Sequence, residues 1–277
     1  MKRTVILTLL AVVAIIGAQA QTEKNYMLVK KSDNTMLKMP IDEINGFSFV
    51  NQKTFTVNGV EFRMIKVVGG TFQMGKGSDG WADRGPVHNV TLSDYYIGET
   101  EVTQELWQAV MGSNPSNFKG AKLPVETVSW EDCQTFIVRM MSLTGHTFRL
   151  PTEAEWEFAA KGGNLSEDYA YSGSNQVTDV AWYLNNSQDK THDVATKAPN
   201  ELGLYDMSGN VFEYCQDWSA VYSSEDQTNP TGPSSGTERV RRGGSWRQTS
   251  ACVCNVRNSI SPSSKANDRG FRLALTP

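Results

Sequence analysis

The chain predicts a loop-rich α+β domain preceded by an export leader and a small β module. Three features carry that expectation. Short runs of alternating apolar residues fill much of 26–97. Three stretches between 103 and 160 open on helix-capping residues and continue with apolar stripes. From about 163 to 245 the chain shows little periodicity and is dense in Gly, Asn, Asp, Ser and Trp.

The leader comes first. Lys2 and Arg3 precede an apolar run from Val5 to Ile16, and Ala18-Gln19-Ala20 offers small residues where a signal peptidase reads. Residues 1–20 are therefore expected to be a signal peptide cleaved after Ala20. The run is too short to cross about 30 Å of hydrocarbon, so no transmembrane anchor is expected. No Cys follows it to take a lipid. The expected location is the periplasm or the outside of the cell.

Hydrophobic residues make up 39% and charged residues 20% of 277, enough for one large domain with a small module attached. Loss of Lys2 and Arg3 with the leader takes the 26 basic residues to 24, against 30 acidic ones. An acidic mature chain argues against nucleic acid or an anionic membrane as partner. Cys133, Cys215, Cys252 and Cys254 all lie beyond the leader, in a chain expected to meet oxidising conditions. Four cysteines allow three pairings, and spacing does not choose among them.

Residues 21–54 read as the β module or linker. Tyr26 and Leu28, then Met36, Leu37 and Met39, mark strands about a turn at Ser32-Asp33-Asn34-Thr35, and Phe47, Phe49 and Val50 suggest one more. The stretch loosely resembles N-terminal segments of exported Bacteroidetes proteins. From Phe55, the run Val57, Val60, Phe62, Met64 and Val67 alternates imperfectly until Gly69-Gly70. Thr71 to Gly75, Val87 to Leu92 and Tyr95 to Ile97 read as further strands.

Helices follow. Thr103 is a candidate N-cap before Leu106, Trp107, Val110 and Met111. Ser129 and Asp132 resemble a capping box, and Cys133, Phe136, Ile137, Met140 and Met141 form one core-facing stripe. Thr152 and Glu155 make a true capping box, with Trp156, Ala159 and Ala160 on the buried side. Short strands around a polar loop close the chain from Arg241 to Ala274.

Common catalytic signatures are missing. His88, His146 and His192 stand far apart, which argues against a metalloprotease-type zinc site, and there is no GxSxG, Walker loop or GxGxxG. The informative signal is a set of phrases in order: Gly69-Gly70-Thr71-Phe72-Gln73-Met74-Gly75; Glu101-Val102-Thr103; Pro124-Val125 to Trp130; Arg149-Leu150-Pro151-Thr152-Glu153-Ala154-Glu155-Trp156-Glu157; Gly203 to Glu213; Arg242-Gly243-Gly244-Ser245-Trp246; and Gly270-Phe271-Arg272-Leu273. Together they resemble the formylglycine-generating enzyme (sulfatase-modifying factor) family across about 62–275, within a domain drawn at 55–277.

The resemblance implies a compact fold related to C-type lectins, with bound calcium. It also implies an activity to weigh, since the family's oxidases convert a sulfatase cysteine to formylglycine with oxygen and a copper ion held by two cysteines. Those cysteines follow Gly-Gly-Ser-Tyr-x-Cys-x4-Cys. Here Trp246 replaces the Tyr, Gln248 takes the first cysteine position and Val253 the second, with Cys252 and Cys254 on either side. A rearranged copper site on Cys252 and Cys254, two residues apart on one strand face, is the minor alternative. The other is a disulfide of Cys215 with Cys252 or Cys254, leaving Cys133 free and buried.

For calcium, the resemblance points to Asp206, Gly209, Val211 and Glu213, through side chains at the ends and backbone carbonyls between. Hard oxygens on a tightly turning loop suit that ion. An ordinary hydrogen-bonded turn capped by Asp206 is the plainer reading. The family's second calcium loop is shortened over Asn185 to Val194, so no second site is expected. Arg242, Arg257, Arg269 and Arg272 are expected to pair with internal carboxylates rather than hold an anion. Trp107, Trp130, Trp156 and Trp246 suit core roles, and Trp81 is the candidate exposed aromatic contact.

The expected function is that of a non-oxidase family member: a calcium-stabilised binding or scaffold protein of the cell envelope, with a protein or glycan partner. The alternative is a formylglycine-generating oxidase with a divergent copper site and a sulfatase as partner. The fold's iron-dependent branch is disfavoured, because its histidine cluster and helical partner domain are missing.

Overall fold

The computed structural model describes residues 26–30, 36–40, 52–75, 85–249 and 252–277. The leader, the 32–35 turn, the Phe47 to Val50 strand and Trp81 lie outside the described residues. The chain divides into two compact units, residues 1–49 and 50–277. In the first, β1 (Tyr26–Lys30) and β2 (Met36–Pro40) pair antiparallel, with Tyr26 opposite Pro40 and Lys30 opposite Met36.

In the second unit, the run from Phe55 to Val67 is two strands. Asn58 and Gly59, at φ 48° and 84°, turn β3 (Gln52–Val57) back onto β4 (Val60–Val67). Asn-Gly is the dipeptide that a tight hairpin turn with two positive φ angles selects. The imperfect alternation was therefore a reversal of direction. β5 (Thr71–Met74), β6 (His88–Thr91) and β7 (Tyr95–Gly98) follow.

The three helix starts form as their capping residues require. In α1 (Gln104–Met111) the Thr103 hydroxyl accepts from Leu106 N. In α2 (Trp130–Thr144) Ser129 and Asp132 exchange reciprocal bonds, and in α3 (Glu153–Ala160) Thr152 and Glu155 do the same. Gly112 and Gly145, both left-handed, end the first two helices. Cys133, Phe136, Ile137 and Met140 are buried as the stripe demands, whereas Met141 sits at its edge, 36% exposed.

α3 departs from a one-sided helix, since every residue from Glu153 to Ala160 is buried. Its glutamates tolerate this because each finds a cation. Arg149 (β8, Phe148–Arg149) holds Glu155 through two bonds of 2.6 and 2.7 Å, Arg257 and Arg242 hold Glu153, and Arg242 and Lys161 hold Glu157.

The stretch expected to be irregular contains a short helix, α4 (Val177–Val180), and a seven-residue strand, β9 (Phe212–Trp218). β9 was hidden because it is buried on both faces and so shows no alternation. After it come β10 (Gln227–Thr228), β11 (Arg239–Arg242), β12 (Arg257–Ile260), β13 (Arg269–Gly270) and β14 (Ala274–Leu275).

Among the described residues, three sheets organise the unit: β3-β4-β7-β14-β8, β12-β11-β9-β13 and β10-β6-β5. The terminal strand β14 lies between β7 and β8, so both ends of the domain meet in the five-stranded sheet. One core cluster centres on Trp107, stacked on Phe136 with ring centres 5.2 Å apart, with Phe271 edge-on to both. A second surrounds Trp156 of α3, and a small third one gathers Ala181, Tyr183 and Cys252. Among the described residues, no helix is long and apolar enough to cross a membrane.

Candidate functional site

The loop from Tyr205 to Val211 turns tightly, with Asp206, Gly209 and Asn210 all at positive φ of 57°, 83° and 54°. At Gly209 the requirement is steric as well, because a Cβ would stand 2.3 Å from the carbonyl oxygen of Trp182. Gly209 N donates to Gly243 O at 2.7 Å and Asn210 N to Trp182 O at 2.8 Å, while Trp246 N donates to Asn210 O at 2.8 Å. The Gly-Asn phrase and the Gly-Gly-Ser phrase thus meet face to face.

Three buried carboxylates feel one another's charge behind this loop, though among the described residues no group of three or more His, Cys, Asp or Glu is arranged to hold a metal ion. Glu213, on β9, is fully buried. Arg272 donates to it through Nε at 2.6 Å and Nη2 at 2.7 Å, and Trp156 Nε1 donates at 2.7 Å. Glu101, 1% exposed, accepts from Asn210 Nδ2 at 2.7 Å and from Val211 N at 3.1 Å. Asp206, 2% exposed, accepts from Ala195 N through Oδ2 at 2.8 Å, and its Oδ1 has no partner. Burial pushes the Asp206 carboxyl up to about 6, and Glu101 goes up well above its usual range through burial and the neighbouring Asp206 and Glu213 charges. Glu101 is a site residue that sequence reading missed. Its signal was the Glu101-Val102-Thr103 phrase, but its partners stand 109 and 110 residues away.

The residues fit a calcium ion in part. The orphaned, buried Oδ1 of Asp206 on a tightly turned loop is the oxygen such an ion needs. Glu213 is bound on both oxygens by Arg272. The structure brings Asp206, Gly209, Val211 and Glu213 onto one turn and strand, and adds Glu101 beside them.

Next to this cluster opens a cleft of about 400 Å³. Phe62, Met64, Val102 and Leu273 supply its apolar lining, and Glu101 and Ala195 form part of its wall.

The two cysteines of the rearranged copper alternative, Cys252 and Cys254, stand in separate apolar clusters. Cys252 and Cys254 lie in a turn, not on a strand, so the shared face expected of residues two apart is not formed. Cys252 packs with Ala181 and Tyr183, whereas Cys254 belongs to the Trp156 cluster and its Sγ donates to Ala160 O at 3.4 Å. Burial pushes both thiols up to about 12, away from the thiolate that a soft metal binds. Gln248 is half-buried, its backbone bonded to Ser245 and Leu184.

The disulfide expected of Cys215 is likewise not formed: all four cysteines are free and buried. Cys215 and Cys252 belong to different apolar clusters, Cys215 and Cys254 share the Trp156 cluster as free thiols with Cys254 Sγ on Ala160 O, and Cys133 is the small buried residue its helix position called for. The arginines pair with internal carboxylates as expected, Arg242 with Glu153 and Glu157, Arg257 with Glu153, Arg269 with Asp268 and Arg272 with Glu213.

Comparison with known proteins agrees with this architecture. The sulfatase-modifying factor enzyme 1-like domain matches residues 51–277. A protein named chaperone protein LppX, from Paenibacillus barcinonensis, is 36% identical over 66% of this chain and 78% of its own. The formylglycine-generating enzyme of Streptomyces coelicolor is 31% identical over 76% of this chain and 88% of its own. Among solved structures, Treponema denticola variable protein 1 superposes with a TM-score of 0.76 at 39% identity, covering 82% of this chain and 99% of that one. Several other curated relatives are longer, and the chain spans about half of their length or less. With the ordered phrases, the loop-rich α+β fold and these matches in agreement, the chain belongs to the sulfatase-modifying factor (formylglycine-generating enzyme) family.

Proposed function

We propose that the protein is an exported, non-oxidase member of this family that acts in the cell envelope as a calcium-stabilised binding or scaffold protein. One observation carries the reading. Gln248 occupies the position of the first copper cysteine, and Cys252 and Cys254 enter separate apolar clusters with their thiols held protonated. Two converging thiolates are what a soft copper ion requires, and this chain does not offer them.

Calcium has a different role in this reading. Asp206 and Glu213, with the backbone carbonyls of Gly209 and Val211, would hold the ion and tie the loop to the sheet. Stability in the envelope then depends on calcium rather than on a disulfide. The export leader and the acidic mature chain support an envelope location with a protein or glycan partner.

The second reading is an oxidase with a sulfatase as partner, favoured by the likeness to the Streptomyces coelicolor formylglycine-generating enzyme over 88% of its length. Cu(I) titration of the reduced protein, with thiols counted before and after, separates the two. The non-oxidase reading expects no stoichiometric copper. Tight one-to-one binding that protects two thiols and is lost in Cys254→Ser would overturn it and call for a sulfatase-peptide assay.

A further inference from the structure

The sheet β12-β11-β9-β13 carries arginines on both faces, and the two faces are balanced differently. Along β11, Val240 and Arg242 are buried, while Arg239 and Arg241 are half-buried on the opposite side. On the buried face Arg242 meets Glu153 and Glu157, and Glu213 meets Arg272. On the other face Arg239, Arg241 and Arg269 donate hydrogen bonds, among the described residues, to no carboxylate. Arg239 is held by aromatic rings instead, 3.8 Å from the centre of Trp130 and 3.4 Å from that of Trp218.

Arg241 and Arg269 are the pair left over. They flank β9 from its two sides, Arg241 opposite Tyr214 and Arg269 opposite Phe212, which share one face of the strand. The Arg241 guanidinium leans toward the second position and stands 4.2 Å from the Phe212 ring centre. Burial, and after it the Arg269 charge, pulls Arg241 below its usual pKa, against the opposite pull of Asp268, Tyr214 and Glu238. Asp268 Oδ1 lies 3.3 Å from Arg269 Nε without the geometry of a hydrogen bond. Both of these atoms, and Arg241 Nη1, are sealed from solvent with no hydrogen-bond partner. Glu238 accepts from Ser259 Oγ. Asp268 set against the two guanidiniums leaves one positive charge over.

The edge of Arg241 that a carboxylate grips is taken by a neutral group. Nε and Nη2 both donate to one oxygen, Oδ1 of Asn258, at 3.2 and 3.0 Å. Asn258 is exposed and stands directly opposite on β12. The same edge meets a carboxylate in two other arginines of this protein. Arg272 takes Glu213 at 2.6 and 2.7 Å, and Arg257 takes Glu153 at 2.8 and 2.7 Å. Bonds to a charged oxygen are shorter and about twice as strong as those to a neutral one, so the amide is the weaker occupant of that edge.

We propose that Arg241 and Arg269 form a site for an oxyanion (a carboxylate, sulfate or phosphate group), which displaces the exposed Asn258 amide and takes the Nε and Nη2 edge of Arg241 with the Arg269 charge alongside. A planar guanidinium fork fits such groups by two parallel bonds. The site is independent of the calcium reading and lies on the opposite face of β9 from Glu213.

Acetate, sulfate and phosphate, each at an ionic strength held constant with chloride, are titrated into the full chain by calorimetry, with the melting temperature followed in parallel. At least one is expected to bind saturably, and the tightest of the three tells a planar carboxylate from a tetrahedral anion. Asn258→Asp places a carboxylate of the chain's own on Arg241. It is expected to melt higher than the wild type without added anion and to bind none. Arg241→Gln is expected to weaken binding by about tenfold or more. Arg139→Gln, which removes the same charge from an exposed position on α2, is expected to bind as the wild type does. No saturable binding to the wild type overturns the proposal. Equal binding to Asn258→Asp also overturns it, because a general salt effect acts on every variant alike. Should Arg241→Gln not fold, Asn258→Asp decides, since it changes an exposed side chain.

Discussion

Arg272 and Glu213 form a two-point ion pair, at 2.6 and 2.7 Å, with both side chains sealed from solvent. It joins the last strands of the chain to β9 and, through Arg272 Nη1 on Gly98 O, to the end of β7. Removing one partner leaves the other charge buried and alone. Arg272→Met is expected to destabilise by about 3–5 kcal/mol, measured as a shift of the urea midpoint at constant slope. A loss below about 1 kcal/mol would show that the pair adds little to the fold.

Gly59 and Gly209 separate conformational strain from collision. Both sit at φ near +83°, but a Cβ on Gly59 meets nothing within 4 Å, whereas one on Gly209 meets Trp182 backbone at 2.3 Å. Gly59→Ala is expected to cost about 1 kcal/mol. Gly209→Ala carries the same strain and must also move the Trp182 backbone, so its cost is expected to exceed about 3 kcal/mol. Equal melting temperatures for the two variants would contradict the packing at Gly209.

Asp217 gives the fold a pH dependence of unusual sign. Burial pushes its carboxyl up to about 7, with the nearby Glu153 charge adding to it, while Glu153 N and Arg242 act the other way. A folded value above the unfolded one means the native state holds the proton more tightly. This contribution is full below the unfolded value of about 4 and is lost as pH rises through about 7. Asp217→Asn keeps an acceptor for Glu153 N and removes the titration. Its stability relative to the wild type is expected to improve between pH 4 and 8, read from urea melts across that range. A difference that does not change with pH would show that Asp217 does not titrate in the folded state.

The thiols offer a direct chemical check. All four cysteines are free and buried, and burial is the largest cause of the upward shift at each. The native protein, with no reductant, is expected to show almost no reaction with Ellman's reagent at pH 8, and four reactive thiols once unfolded in guanidinium. Fewer than four after unfolding would mean that a disulfide forms in the isolated protein.

Helix termini are the most transferable part of the sequence reading. Thr152→Ala is expected to cost about 1–2 kcal/mol, since it removes one half of the reciprocal bond with Glu155 and loosens the end that Arg149 also holds. A thermal melt of the variant measures it.

These helix caps, the glycine stops and the ordered phrases of the family were legible in the residues, because each rests on groups a few positions apart. Thr152 and Glu155 specify a helix start wherever the rest of the chain lies. The hairpin at Asn58-Gly59 was equally local and was passed over within an uneven apolar run. β9 had no local mark, since burial on both faces erases the alternation that betrays a strand. The burial of Glu153 and Glu157 depends on Arg242, which is 89 and 85 residues away in sequence.

The same division runs through the candidate site. By themselves the residues determined the family, the Asp206 to Glu213 turn and that a Gln, not a Cys, stands at 248, because each is a matter of which residue stands where. Only the tertiary structure decided that Glu213 is bound by Arg272, that Glu101 lies beside Asp206, and that Cys252 and Cys254 enter different clusters. Charge balance in a buried site is a sum over groups drawn together from distant parts of the chain, and no spacing rule contains that sum.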